Sequence, residues 1–99
     1  MMLSPVPQNF ELHQNYPNPF NPITTIRYDL PQEGYVVLTI YDILGREVVK
    51  LVNKRMSAGY HTSTWDTKDA FGRSMSGGIY FYQIQTPGYT KTNKMVLLK

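Results

Sequence analysis

The chain has 99 residues, 41% hydrophobic and 17% charged, which fits one folded domain with a core of its own and excludes a disordered chain. Its net charge of +3 comes from ten scattered Lys and Arg, without the basic stripe or recognition helix that nucleic-acid binding requires. Without cysteine there is no disulfide, thiol nucleophile or thiolate metal site, and no run nears the ~18 apolar residues of a membrane-crossing helix.

Residues 1–9 hold two prolines and little apolar content and read as a linker. Met1 to Pro5 lacks the charged and apolar regions of a signal peptide, so an export signal, for an exported parent protein, is expected upstream. Phe10 to His13 alternates apolar and polar and predicts a short first strand. Then Asn15 to Pro22 reads Asn-Tyr-Pro-Asn-Pro-Phe-Asn-Pro. Proline fixes φ, removes a backbone donor and pushes its predecessor toward extended conformations, and asparagine side chains tie back to nearby backbone. This stretch is therefore neither helix nor interior strand but a rigid elbow, with Tyr16 and Phe20 expected as the pegs that hold it to the core.

Strands follow at roughly ten-residue spacing. From Ile23 to Leu30, Thr24, Ile26, Tyr28 and Leu30 share one face, and Pro31 to Gly34 is a turn. Tyr35 to Asp42 puts Val36, Leu38 and Ile40 toward the core, with Tyr35, Val37, Thr39 and Tyr41 on a second face expected to be partly covered. Asp42 to Arg46 turns the chain, and Glu47 to Val52 is the next strand, with polar Asn53-Lys54-Arg55 expected to end it. Tyr60 to Asp66 alternates His61, Ser63 and Trp65 against Tyr60, Thr62 and Thr64. Thr67 to Gly78 is loop. Ile79 to Thr86 carries Tyr80, Tyr82 and Ile84 on one face, with Gly77-Gly78 supplying a bend or bulge before them. Pro87-Gly88 is a hairpin turn, and Tyr89 to Lys99 is the last strand. No segment holds helical periodicity and no internal repeat stands out. Seven short antiparallel strands separated by turn signals predict an all-β sandwich, residues 10–99.

Three separated motifs, Asn15–Pro22, Gly78-Ile79-Tyr80-Phe81-Tyr82 and Lys94-Met95-Val96-Leu97-Leu98-Lys99, are joined in order by Tyr41 to Val48 and by Ala58-Gly59-Tyr60-His61 through Trp65-Asp66. Together they resemble the C-terminal sorting domain of proteins exported by the bacterial type IX secretion system. That family is similar to the immunoglobulin-like domain of flagellar hook-capping proteins. The resemblance implies an immunoglobulin-like sandwich at the end of a cargo protein. It also implies passage through the periplasm, recognition by an outer-membrane translocon, and release by a sortase-like peptidase that cuts in the linker, near residues 1–9. The final location is then the cell surface or the medium. Thr67 stands where the family usually has glycine.

The recognition residues so implied are Lys94, Met95, Val96, Leu97, Leu98 and Lys99, with Pro17, Asn18, Pro19, Phe20 and Pro22 of the elbow, and Gly78 and Tyr80. The terminal strand reads either as a core strand with guarding lysines or as a signal whose edge a partner captures by strand addition. An exposed Phe20 would mark the elbow as a docking surface. Asp66 and Asp69 are weak candidates for a metal, since Ca²⁺ takes hard oxygens, but Lys68 lies between them and turn capping fits better. His13 and His61 read as structural. No nucleophile elbow or carboxylate pair stands out, so neither catalysis nor a cofactor is expected. Competing readings are an assembly module, which would self-associate, and a glycan binder using Tyr35, Tyr41, Tyr60 and Tyr89.

Overall fold

A computed structural model describes residues 6–98. It contains seven strands, β1 (Glu11–Leu12), β2 (Thr24–Leu30), β3 (Gly34–Tyr41), β4 (Glu47–Met56), β5 (Gly59–Trp65), β6 (Gly78–Thr86) and β7 (Tyr89–Leu97). They form two antiparallel sheets, β1-β2-β5 and β4-β3-β6-β7. Among the described residues there is no helix.

The alternation read from the sequence becomes the core. Ile26, Tyr28 and Leu30 of β2 face Val36, Leu38 and Ile40 of β3 and Tyr80, Tyr82 and Ile84 of β6 across the sandwich, all of them buried. Met95 and Leu97 of β7 join the same core. Burying such side chains is worth roughly 1.5–3 kcal/mol each. On the second face of β3, Thr39 is buried, Val37 and Tyr41 are half-buried and Tyr35 is exposed, as partial cover predicted.

Two boundaries differ from expectation. β4 runs on through Asn53, Lys54 and Arg55, which pair with Val37, Val36 and Tyr35. It is an edge strand, where outward polar side chains cost little and discourage edge-to-edge pairing. Its ladder shifts register between Leu38/Thr39 and Ile40/Tyr41, bulges of the kind that twist an edge away from partners. The bend expected at Gly77-Gly78 is present at Gly77, just before β6, and β6 and β7 then pair without a shift from Gly78↔Leu97 to Thr86↔Tyr89. In the stretch predicted as linker, Pro7 is buried and Val6 half-buried; residues 1–5 lie outside the described part, as does Lys99.

The register fixes two poles. Leu30, Gly34, Met56, Gly59, Thr86 and Tyr89 mark the near pole, where Phe10 stacks on Tyr89 at 5.1 Å. At the far pole are Thr24, Tyr41, Glu47, Trp65, Gly78 and Leu97. The 42–46 turn and the 66–77 loop therefore project there.

Candidate functional site

Most sequence-predicted site residues converge on the far pole. Phe20 is 1% exposed, tilted against Trp65 at 5.9 Å, and Trp65 meets Tyr80 edge-on at 5.2 Å. This aromatic chain ties the elbow, β5 and β6 together, one residue from each of three motifs. The indole N–H of Trp65 donates to the Lys68 carbonyl at 2.9 Å, and the Tyr80 hydroxyl donates to the Ser76 carbonyl at 2.6 Å. Both bonds hold the 66–77 loop against the pole. Tyr16 does not serve as a peg: its ring is 81% exposed, because its backbone alone is anchored, exchanging two hydrogen bonds with Thr25.

The elbow is held from inside. Buried Asn15 donates its amide nitrogen to the Tyr82 hydroxyl at 2.8 Å and its side-chain nitrogen to Thr24 Oγ1 at 3.0 Å. The Tyr82 hydroxyl donates onward to the His13 carbonyl at 2.7 Å, and burial raises its pKa, so it stays a donor at physiological pH.

From this base the elbow reaches β7. Phe20 N–H donates to the Val96 carbonyl at 3.0 Å and Leu98 N–H to the Phe20 carbonyl at 2.8 Å. Asn18 Oδ1 accepts from Val96 N–H at 3.0 Å, and the Gln14 side chain donates to the Lys94 carbonyl at 2.9 Å. The elbow thus occupies the outer edge of β7 as a short parallel partner. Strand addition along residues 94–98, as the sequence reading allowed, therefore requires displacing the elbow. The burial of Phe20 likewise gives it a clamping position rather than that of an exposed docking ring. Met95 and Leu97 point into the core, whereas Lys94 and Leu98 are exposed and Val96 is half-buried.

The carboxylates of Asp66 and Asp69 serve as turn caps. Asp66 Oδ1 accepts from Lys68 N–H, and Asp69 accepts from Phe71 N–H, Arg73 N–H and Arg73 Nε. His13 bonds Asp29 at 2.8 Å, and His61 stacks on Tyr28 and bonds the Ser57 carbonyl. The tyrosines proposed for glycans form no platform. Tyr60 lies on β5 under Arg27, Tyr35 and Tyr41 lie on β3 of the other sheet, and Tyr89 is stacked on Phe10.

One feature escaped the sequence reading. The 42–46 turn, Asp-Ile-Leu-Gly-Arg, recurs in spirit at 69–73 as Asp-Ala-Phe-Gly-Arg. In both turns Asp Oδ1 accepts two backbone N–H groups at 2.9 Å, and Oδ2 accepts Arg Nε at 2.8 Å. The Asp N–H donates to the Arg carbonyl at 2.9 Å, and the Gly N–H to the Asp carbonyl at 3.0 Å. Gly45 and Gly72 take φ of +80° and +82°, the left-handed region that glycine enters without penalty. The hydrogen bond from the Arg backbone, aided by those from the Arg side chain and from the Leu44 or Phe71 N–H, lowers both carboxyl pKa values against the opposing effect of desolvation. The signal was Asp-x-x-Gly-Arg occurring twice, too short to register as a repeat.

Architecture and site define a small all-β, immunoglobulin-like sandwich with an elbow-clamped terminal strand. Residues 14–98 match the family described as the secretion system C-terminal sorting domain. The chain belongs to this family, a sorting-signal family and not a catalytic one. No curated protein matches significantly. Among solved structures, it is similar to dimeric latent PorU of Porphyromonas gingivalis (TM-score 0.71, 23% identity, 88% of this chain and 9% of that one). It is similar also to PorZ, a surface component of the type IX secretion system of the same organism (TM-score 0.61, 18% identity, 89% and 11%). A third likeness is to FlgD of P. aeruginosa (TM-score 0.60, 22% identity, 95% and 75%). The chain thus spans about a tenth of each Por protein. The secretion-sorting role read from the sequence is borne out by the family match, and it implies export to the cell surface or the extracellular space.

Proposed function

We propose that this domain is an address read by protein–protein contact at its far pole. A cargo protein precedes residue 1, passes through the periplasm with the sandwich folded, and is delivered to the outer-membrane translocon. A sortase-like peptidase then cuts within residues 1–9, and the domain itself performs no catalysis. The observation that carries this reading is topological. The strand register puts the end of β7, the elbow tip and Gly78 at the pole opposite Phe10, the residue just before β1. The translocon can therefore meet the address without the cargo in the way.

A fluorescent reporter placed behind an export signal and ahead of residues 1–99, in a type IX-competent bacterium, is expected at the surface or in the medium. A folded cap fused after Lys99 leaves Met95 and Leu97 in the core. The thermal midpoint should hold while the reporter stays in the periplasm. Export of the capped fusion at the uncapped level would remove the terminal strand from the address. Periplasmic retention of the uncapped fusion would sink the sorting reading.

A further inference from the structure

The far pole also carries the twin Asp-x-apolar-Gly-Arg turns, and turn-making explains only part of their composition. The aspartate cages the backbone, the glycine supplies the left-handed position, and the arginine Nε closes the cage. None of this needs a large apolar side chain at the third position. Yet Leu44 is 73% exposed and Phe71 83%, and neighbouring Ile43 is 65% exposed. None of the three belongs to the buried core. Large apolar groups held in water on one pole of a monomer mark an interaction surface.

The two turns adjoin: Asp42, Arg46, Asp69, Phe71 and Arg73 line one cleft. A second cleft shares Asp42 and Arg46 with the first and is lined also by Ile43, Leu44, Ile79 and Tyr80. Ile79 pairs with Val96, so the patch continues toward the end of β7. The charges are layered. Arg46 and Arg73 are 73% and 74% exposed, while the side chains of their partners Asp42 and Asp69 are 15% and 10% exposed. Anything meeting this surface encounters the two guanidinium groups above their aspartates, while Glu47, which lines the same cleft, is exposed and paired with Lys50. Arg73 also lies over the Phe71 ring at 5.3 Å, so charge and apolar surface are presented together.

We propose that the paired turns are a second docking surface, distinct from the terminal strand, for a protein of the secretion machinery whose contact face is an apolar groove rimmed by carboxylates. This rests on the sorting role above. Because the cages fix both backbones beforehand, binding orders little new chain, which favours affinity. Exposed Leu, Ile and Phe fill the groove, and the two arginines meet the rim, phenylalanine and arginine being enriched at protein interfaces and arginine among their hot spots.

The test uses the same reporter fusion. An Ile43→Ser/Leu44→Ser/Phe71→Ser variant removes side chains outside the core, so its thermal midpoint should match the parent. Its export is expected to fall by about tenfold or more, the loss that follows truncating interface anchors. A Tyr60→Ser control on β5 should export normally. Arg46→Gln/Arg73→Gln should also reduce export, and export at the parental level would overturn the carboxylate rim. Normal export of the triple variant overturns the docking surface while the parental fusion still vindicates sorting. Normal export with loss only of surface attachment also overturns it, since the patch would then serve attachment and not delivery. Should the triple variant misfold, Phe71→Ser alone decides by the same readout. A parental fusion trapped in the periplasm overturns both readings.

Discussion

At the scale of the residue, Thr67 is the place where chemistry and conformation disagree. It has φ of +70° and is buried, with its carbonyl accepting from Met75 N–H at 2.7 Å. A β-branched residue in the left-handed region stores strain of about 1–3 kcal/mol. The position after Trp65-Asp66, where glycine was the family expectation, is therefore one where glycine has a physical reason to be. Thr67→Gly loses the threonine hydroxyl's bond to the Asp66 carbonyl and some unfolded-state constraint. Strain at the upper end of that range outweighs both, and chemical denaturation should then show a gain of about 1 kcal/mol. An unchanged or lower midpoint would mean that the loop tolerates the threonine without strain.

Among the elements, the elbow and β7 behave as one unit. A proline-rich segment cannot extend a sheet as a regular strand, because it lacks donors at three positions. It can lend single groups, and Phe20 lends three functions: an N–H, a carbonyl and a buried ring. β7 therefore has no open edge along its last residues, while β4 guards the opposite edge of the same sheet with bulges and with Lys50, Lys54 and Arg55. Phe20→Ala should cost about 3–5 kcal/mol, the usual loss for a buried phenylalanine. It should also speed amide exchange at Leu98, whose N–H donates to the Phe20 carbonyl. Exchange at Leu98 that stays at the parental rate would show that the clamp does not depend on the ring.

For the molecule as a whole, address and fold share the same strand. Met95 and Leu97 are 0% and 2% exposed, so deleting residues 94–99 does more than erase a signal. Two buried side chains at about 2–5 kcal/mol each amount to much of the roughly 5–15 kcal/mol that holds a domain together. The truncated chain is expected to lose its cooperative thermal transition. If it melts cooperatively near the parental midpoint, β7 is an attached tag and not part of the core. For this reason a cap after Lys99, which leaves the core whole, separates signal from stability where truncation cannot.

The alternation of β2, β3, β5 and β6, the proline elbow and the turn at Pro87-Gly88 were all legible in the sequence. Each depends on local geometry: a two-residue period, a fixed φ, a residue suited to a left-handed turn. The motifs likewise pointed to the family, because their order along the chain is itself sequence. Tertiary structure decided what each motif touches. Phe20, Trp65 and Tyr80 stand far apart in sequence and meet only when β6 packs behind β5. Tyr16 and Phe20 look alike as pegs, yet only one finds a ring to pack against. The outer edge of β7 looked open until an elbow more than seventy residues upstream closed it. Two five-residue turns became one surface because antiparallel pairing carries both to the same pole. Contacts between distant segments depend on the path of the whole chain, which no local window of residues contains.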